Sequence, residues 1–124
     1  MSTVLDAGAL IAFERGERTM VALVVRARER GRPLLVPAGV VAQVWRDGRR
    51  QARLATLLGS APVEVVPLTD FAARAAGQLL GVAGAVDVVD ASVAWLAHDR
   101  GARVVTSDPD DLRHLDPELE IVAI

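Results

Sequence analysis

The sequence predicts an α/β protein, a three-layer α/β/α sandwich built on a mostly parallel central sheet. Three observations predict it. Five short runs of Val, Leu and Ile do not alternate with polar residues, which is how strands covered on both faces read. Longer helical stretches separate those runs, and strand–helix alternation implies parallel strands with helices on both sides. Gly31 and Gly101 follow arginine-rich last turns, marking two helix ends.

Along the chain, the strand Thr3–Leu5 runs straight into Asp6, and the helix Ala7–Arg15 starts beside that acid. A second helix, Thr19–Arg30, carries the apolar stripe Val21, Leu23, Val24 and Val25 and stops at Gly31. The strand Pro33–Val36 is followed by two helices, Ala38–Trp45 and Gln51–Leu58. Next come the strand Val63–Val66 and the helices Asp70–Leu80 and Val88–Arg100, the latter preceded by Asp87. The strand Val104–Thr106 leads into Ser107 and Asp108. Pro109, a favoured first helical residue, opens the helix Asp110–Leu115, and Ile121–Ile124 reads as the last strand. No repeat or linker interrupts this order, so residues 1–124 read as a single domain.

Composition narrows the function classes. At 124 residues, 52% hydrophobic and 24% charged, the chain reads as globular and large enough for one core. No apolar run approaches the roughly 18 residues of a membrane span. "MSTVLDAGAL" has neither a basic start nor an uninterrupted apolar run, so a cytoplasmic, membrane-free protein is expected. There is no cysteine, which removes disulfides and thiolate metal sites. All 14 basic residues are arginine, and the net charge of −2 is not that of a strongly basic nucleic-acid binder.

The chemistry-bearing pattern is acidic. In an open α/β sheet, ligands sit outside the carboxyl ends of the strands. Two strands deliver an aspartate there, Asp6 and Asp108. Each has an alternative use as a helix cap, and so has Asp87. Asp90 lies past the first helical residues among Val88, Val89, Ala91, Val93 and Ala94. An ionised carboxylate in such a setting is costly unless an arginine or a cation compensates it. A cation accounts for Asp6, Asp90 and Asp108 together. Oxygen-only donors, without cysteine or suitably spaced histidines, select a hard ion such as Mg²⁺ or Mn²⁺.

Four segments in order carry a resemblance: "VLDAGALIAFERG", "LVPAGVVAQVWRDG", "DVVDASVAWLA" and "VVTSDPDDL". With them the chain resembles PIN domains, and specifically the VapC toxins of type II toxin–antitoxin systems, over essentially its whole length. The resemblance implies a Mg²⁺- or Mn²⁺-dependent endoribonuclease acting on RNA such as tRNA or rRNA. It also implies a homodimer, and a cognate VapB-like antitoxin as partner. It makes Asp6, Asp90 and Asp108 metal ligands, directly or through water, and gives Thr106 an orienting role or a contact with the scissile phosphate. The family's usual glutamate is replaced here by Gln43, which removes one negative charge and puts catalytic strength in doubt. Asp87, one turn before Asp90, is the candidate to restore it. The alternative is a PIN domain that binds RNA or an antitoxin without efficient cleavage.

Weaker features are set beside these. "RDGRRQARL" predicts that Arg46, Arg49, Arg50 and Arg53 share much of one helical surface, either solvated and salt-bridged or contacting RNA phosphates. Arg46 and Arg49 are the RNA-contact candidates. Trp45 and Trp95 read as core or dimer-interface residues. His98, two turns and about 12 Å beyond Asp90, is no candidate ligand, and His114 reads as surface. The VapC family receives its antitoxin in the region of the second helix, where the apolar stripe serves either core packing or an exposed groove. Three rivals lose their chemistry. A receiver needs a lysine, a haloacid-dehalogenase-like phosphatase needs a DxD pair, and a dinucleotide fold needs a Gly-rich first turn; "DAGAL" supplies none of these.

Overall fold

The computed structural model describes residues 1–124. Its elements are β1 (Thr3–Leu5), α1 (Ala7–Glu14), α2 (Arg18–Glu29), β2 (Leu34–Pro37), α3 (Ala38–Val44), α4 (Ala52–Leu58) and β3 (Val63–Val66). They continue as α5 (Asp70–Ala83), α6 (Val88–Arg100), β4 (Arg103–Thr106), α7 (Pro109–Leu115) and β5 (Ile121–Ala123). All four strand pairings are parallel, in the order β3-β2-β1-β4-β5. Right-handed crossovers put α1–α4 on one face and α5–α7 on the other, in keeping with which helices touch. The expected three-layer α/β/α fold is what forms.

Burial follows the strand order. Val4, Leu5, Val36, Val104 and Val105, in the three inner strands, are fully buried. The expectation that every strand is covered on both faces fails at the edges: Glu64 and Val65 of β3 and Ala123 of β5 are exposed. An edge strand has one neighbour and a shorter helical cover, so polar side chains are tolerated there. The stripe on α2 divides likewise, with Val24 buried, Val21 and Leu23 half-buried and Val25 exposed. Helix α5 runs three residues beyond the expected Leu80. Gly81 has open space around it and does not stop the helix, whereas Gly84 takes the left-handed conformation (φ +66°) and does.

The arginine segment departs most from expectation. Arg46, Arg49 and Arg50 are not on a helix at all but in the connection between α3 and α4, which starts at Ala52. Asp47 Oδ1 accepts the Arg49 N–H (3.0 Å), and Gln51 Oε1 accepts the N–H groups of Arg46 (2.7 Å) and Asp47 (3.0 Å). These side-chain acceptors offer the backbone an alternative to helical hydrogen bonds.

The topology also selects one place on the molecule. From the adjacent strands β1 and β4, the chain leaves in opposite directions, through α1 toward β2 and through α7 toward β5. Strand order reverses there, opening a crevice at the carboxyl ends of the two strands. Helix α1 fits against that crevice only because residue 8 is glycine. A Cβ at Gly8 would overlap the Ser107 side chain, lying 2.9 Å from its Cβ and 3.3 Å from its backbone nitrogen. Gly8→Ala is therefore expected to cost about 1–3 kcal/mol of stability, measured as a lowered denaturant midpoint. An unchanged midpoint would show that α1 and the Ser107 turn separate freely.

Candidate active site

Four elements bring acids to the crevice. Asp6 leaves β1 buried, at 9% exposure, with its N–H donating to the Val105 carbonyl of β4 (3.3 Å). Its Oδ1 accepts the Ala9 N–H (2.9 Å), so it does cap α1. Desolvation raises its pKa above the usual carboxylate value, and the nearby Asp108 adds to this. The Thr106 hydroxyl and the N–H groups of Ala9 and Gly8 counteract it.

Thr106 is the fully buried end of β4. Its hydroxyl accepts the Asp108 N–H (2.8 Å) while its interaction with Asp6 favours that carboxylate's ionised form. One side chain thus links the acids of two strands, and its burial leaves no surface for a phosphate to touch. Asp108 occupies the N-cap position of α7, but its side chain makes no capping hydrogen bond, so the carboxylate stays free beside the pocket.

On α6, the paired aspartates take different tasks. Asp87 Oδ1 accepts the Asp90 N–H (2.9 Å) and caps the helix. It is exposed, and it lines the same pocket as Asp90. Asp90 is half-buried rather than enclosed by the apolar residues around it. Its pKa is pushed up to about 6, first by desolvation and then by the charges of Asp87, Asp111, Asp6 and Asp108. No arginine contributes, which removes the salt-bridge explanation for this residue.

The pocket is lined by Asp6, Asp87, Asp90, Asp108 and Asp111, with Gln43 of α3 exposed at its rim. Asp111 is the member that sequence reasoning missed. In the first turn of α7 it resembles an ordinary dipole-favoured acid, and the available signal was its position three residues after Asp108. Arg46 and Arg49 do not line the pocket. The Arg46 guanidinium donates to the Ala42 (3.0 Å) and Trp45 (2.7 Å) carbonyls at the end of α3. Trp95 is half-buried, edge-on to Phe71 with ring centroids 6.0 Å apart, and Trp45 is exposed. His98 points instead toward Asp116 (3.9 Å), and the exposed His114 bonds the Ala83 carbonyl (2.8 Å).

No three of these carboxylates stand close enough to clamp an ion directly. The donor set nevertheless fits a hard divalent cation. It is all oxygen, it lines one pocket, and burial together with the neighbouring aspartates raises the Asp90 pKa, a cost that a cation would relieve.

The sequence matches the PIN domain over residues 3–117, in keeping with this fold, and the chain belongs to that family. No curated protein matches it in sequence. Among solved structures it is similar to VapBC2 of Rickettsia felis bound to a promoter DNA fragment, with a TM-score of 0.76 and 16% identity over 99% of this chain and 98% of that one. A toxin–antitoxin complex from Klebsiella pneumoniae gives 0.72 and 15%, covering 98% and 97%. VapC20 of Mycobacterium tuberculosis, a toxin that cleaves the sarcin–ricin loop, gives 0.63 and 17%, covering 86% and 88%. At these identities the likeness is one of fold.

Proposed function

We propose that this chain is the toxin of a VapBC-type pair, a cytoplasmic endoribonuclease that hydrolyses RNA in the presence of Mg²⁺ or Mn²⁺. The observation that carries the reading is the convergence of Asp6, Asp90 and Asp108 on one pocket at the strand-order reversal, with no basic side chain to neutralise them. Those three would hold the ion in part through bound water, since no three carboxylates stand close enough to clamp it directly. When bound, it would polarise a phosphoryl oxygen and supply an activated water. The chain's own contribution is orientation: Thr106 fixes Asp6 relative to Asp108, and the Asp87 cap fixes the first turn that carries Asp90.

A VapB-like antitoxin is the partner, supported by likeness to chains solved in toxin–antitoxin complexes. A homodimer belongs to the same reading. Phe71, Val82 and Val86 stand 73%, 91% and 90% exposed, an apolar surface that a second copy would cover. Arg46 and Arg49, beside the site helix, remain proposed RNA contacts. Their removal would weaken RNA binding at low salt and matter less at high salt.

The test is cleavage of a labelled RNA during Mn²⁺ and Mg²⁺ titration, in wild type and Asp6→Ala. Cleavage that survives Asp6→Ala would overturn the reading. The second reading, a PIN domain with weakened catalysis, is favoured by Gln43 at the rim. Gln43→Glu restores a negative charge and is expected to tighten Mn²⁺ binding about tenfold, the equivalent of ~1.4 kcal/mol, in isothermal titration. Wild type that neither binds metal nor cuts RNA, with both gained in Gln43→Glu, would select the weakened reading.

A further inference from the structure

At the other end of the sheet lies a second cleft, between α2 and the amino-terminal ends of β1, β2 and β4. It has a volume of about 300 Å³ and is lined by Arg26, Arg32, Arg103, Thr3, Thr19 and Leu23, among others. The three arginines come from different elements: Arg26 from α2, Arg32 from the α2–β2 turn and Arg103 from the start of β4. Thr3 and Arg103 pair across β1 and β4, so their side chains project on the same face. The Arg103 Nε donates to Thr3 Oγ1 (3.1 Å), which anchors one guanidinium on a buried hydroxyl.

None of the three has a carboxylate partner. The chain's arginine ion pairs use Arg50, Arg74, Arg100 and Arg113 instead, although its acids outnumber its arginines, 16 to 14. Three like charges gathered in one concave site repel unless an anion joins them. Three arginines from three elements lining one cleft suit a tetrahedral, multiply charged oxyanion better than a planar, singly charged carboxylate.

We propose that this cleft is a phosphate-binding site, separate from the acidic pocket at the opposite ends of the strands. Its ligand is a phosphoryl group, carried either by a free mononucleotide or by an RNA backbone. The half-buried Leu23 on its wall offers an apolar surface to the organic part of such a ligand.

The experiment titrates AMP, and separately a short single-stranded RNA, into the full chain in EDTA at fixed ionic strength. Wild type is compared with Arg32→Gln, Arg26→Gln and Arg103→Gln. Binding of AMP that weakens about tenfold or more in Arg32→Gln and Arg26→Gln supports the site with a free nucleotide as its source. RNA affinity that falls in the same variants while AMP fails to bind supports the site with backbone phosphate as its source. Neither Arg26 nor Arg32 holds a side-chain hydrogen bond in the fold, so their substitution tests the site even if Arg103→Gln does not fold. Ligand affinities unchanged by the substitutions would overturn the proposal. So would a glutamate-rich peptide that binds as tightly as AMP and loses affinity in the same variants, because that would make the cleft an acidic-peptide site. None of these readouts depends on RNA cleavage.

Discussion

Asp90→Asn is expected to make the metal-free protein more stable above pH 6 while lowering RNA cleavage by about 100-fold or more. The two effects have one cause. Asp90 is half-buried and faces four other aspartates, so its carboxylate is ionised at a cost to the fold, and its pKa is pushed up from an ordinary 3.8 to about 6. Between those values the folded chain holds more protons than the unfolded chain. Stability present below about pH 3.8 is therefore lost as the pH rises through about 6. An asparagine does not titrate, and its midpoint should not show this loss. Because the group is partly exposed, solvent screening reduces the gain at pH 7.5 to about 1 kcal/mol. Denaturant midpoints at pH 5 and 7.5 in EDTA would measure it. Added Mn²⁺ should then raise the wild-type midpoint and leave Asp90→Asn nearly unmoved. If Asp90→Asn were less stable than wild type at pH 7.5 without metal, the carboxylate would be a structural partner and not an ion ligand.

The same electrostatics explain which parts of the site could be read from sequence. Asp6 and Asp108 were legible because a parallel sheet presents whatever follows its strands at one edge. Asp90 was legible because a carboxylate among valines and alanines needs a reason. Asp87 was correctly read as a cap, and its lining of the pocket required the turn of α6 to be seen. Asp111 was hidden, since an acid in a first helical turn is ordinary by helix-dipole reasoning. Arg46, Arg49 and Arg50 of "RDGRRQARL" fall off the helix for a local reason, whereas Arg53 lies on α4. The helical spacing of these residues continues across a segment where Asp47 and Gln51 side chains accept backbone N–H groups and the chain is not helical. Strand order, too, lies outside local sequence. Only the whole strand order reveals that β3 and β5 are edges and that Asp6 and Asp108 follow adjacent strands.

One hydroxyl, that of Thr106, acts on both of those acids, so Thr106→Val is expected to have an effect comparable to removing an acid. Valine keeps the shape of threonine and its fit in a fully buried position, but it offers nothing to the Asp108 N–H, which now donates to Thr106 over 2.8 Å. It also removes the hydroxyl that favours ionised Asp6. Leaving a donor unsatisfied at the edge of the core costs about 1–3 kcal/mol. Asp6, already raised by desolvation, would move further in that direction, and the two acids would lose their common anchor. Metal affinity and cleavage should fall about 10–100-fold together, the usual range for groups that orient ligands. Thr106→Ser retains the hydroxyl and loses only a methyl. It should recover most of the metal affinity measured by titration while keeping part of the stability deficit, because the lost methyl leaves a small cavity. Equal metal affinity in Thr106→Val and wild type would mean that Asp6 and Asp108 are positioned by the sheet backbone alone.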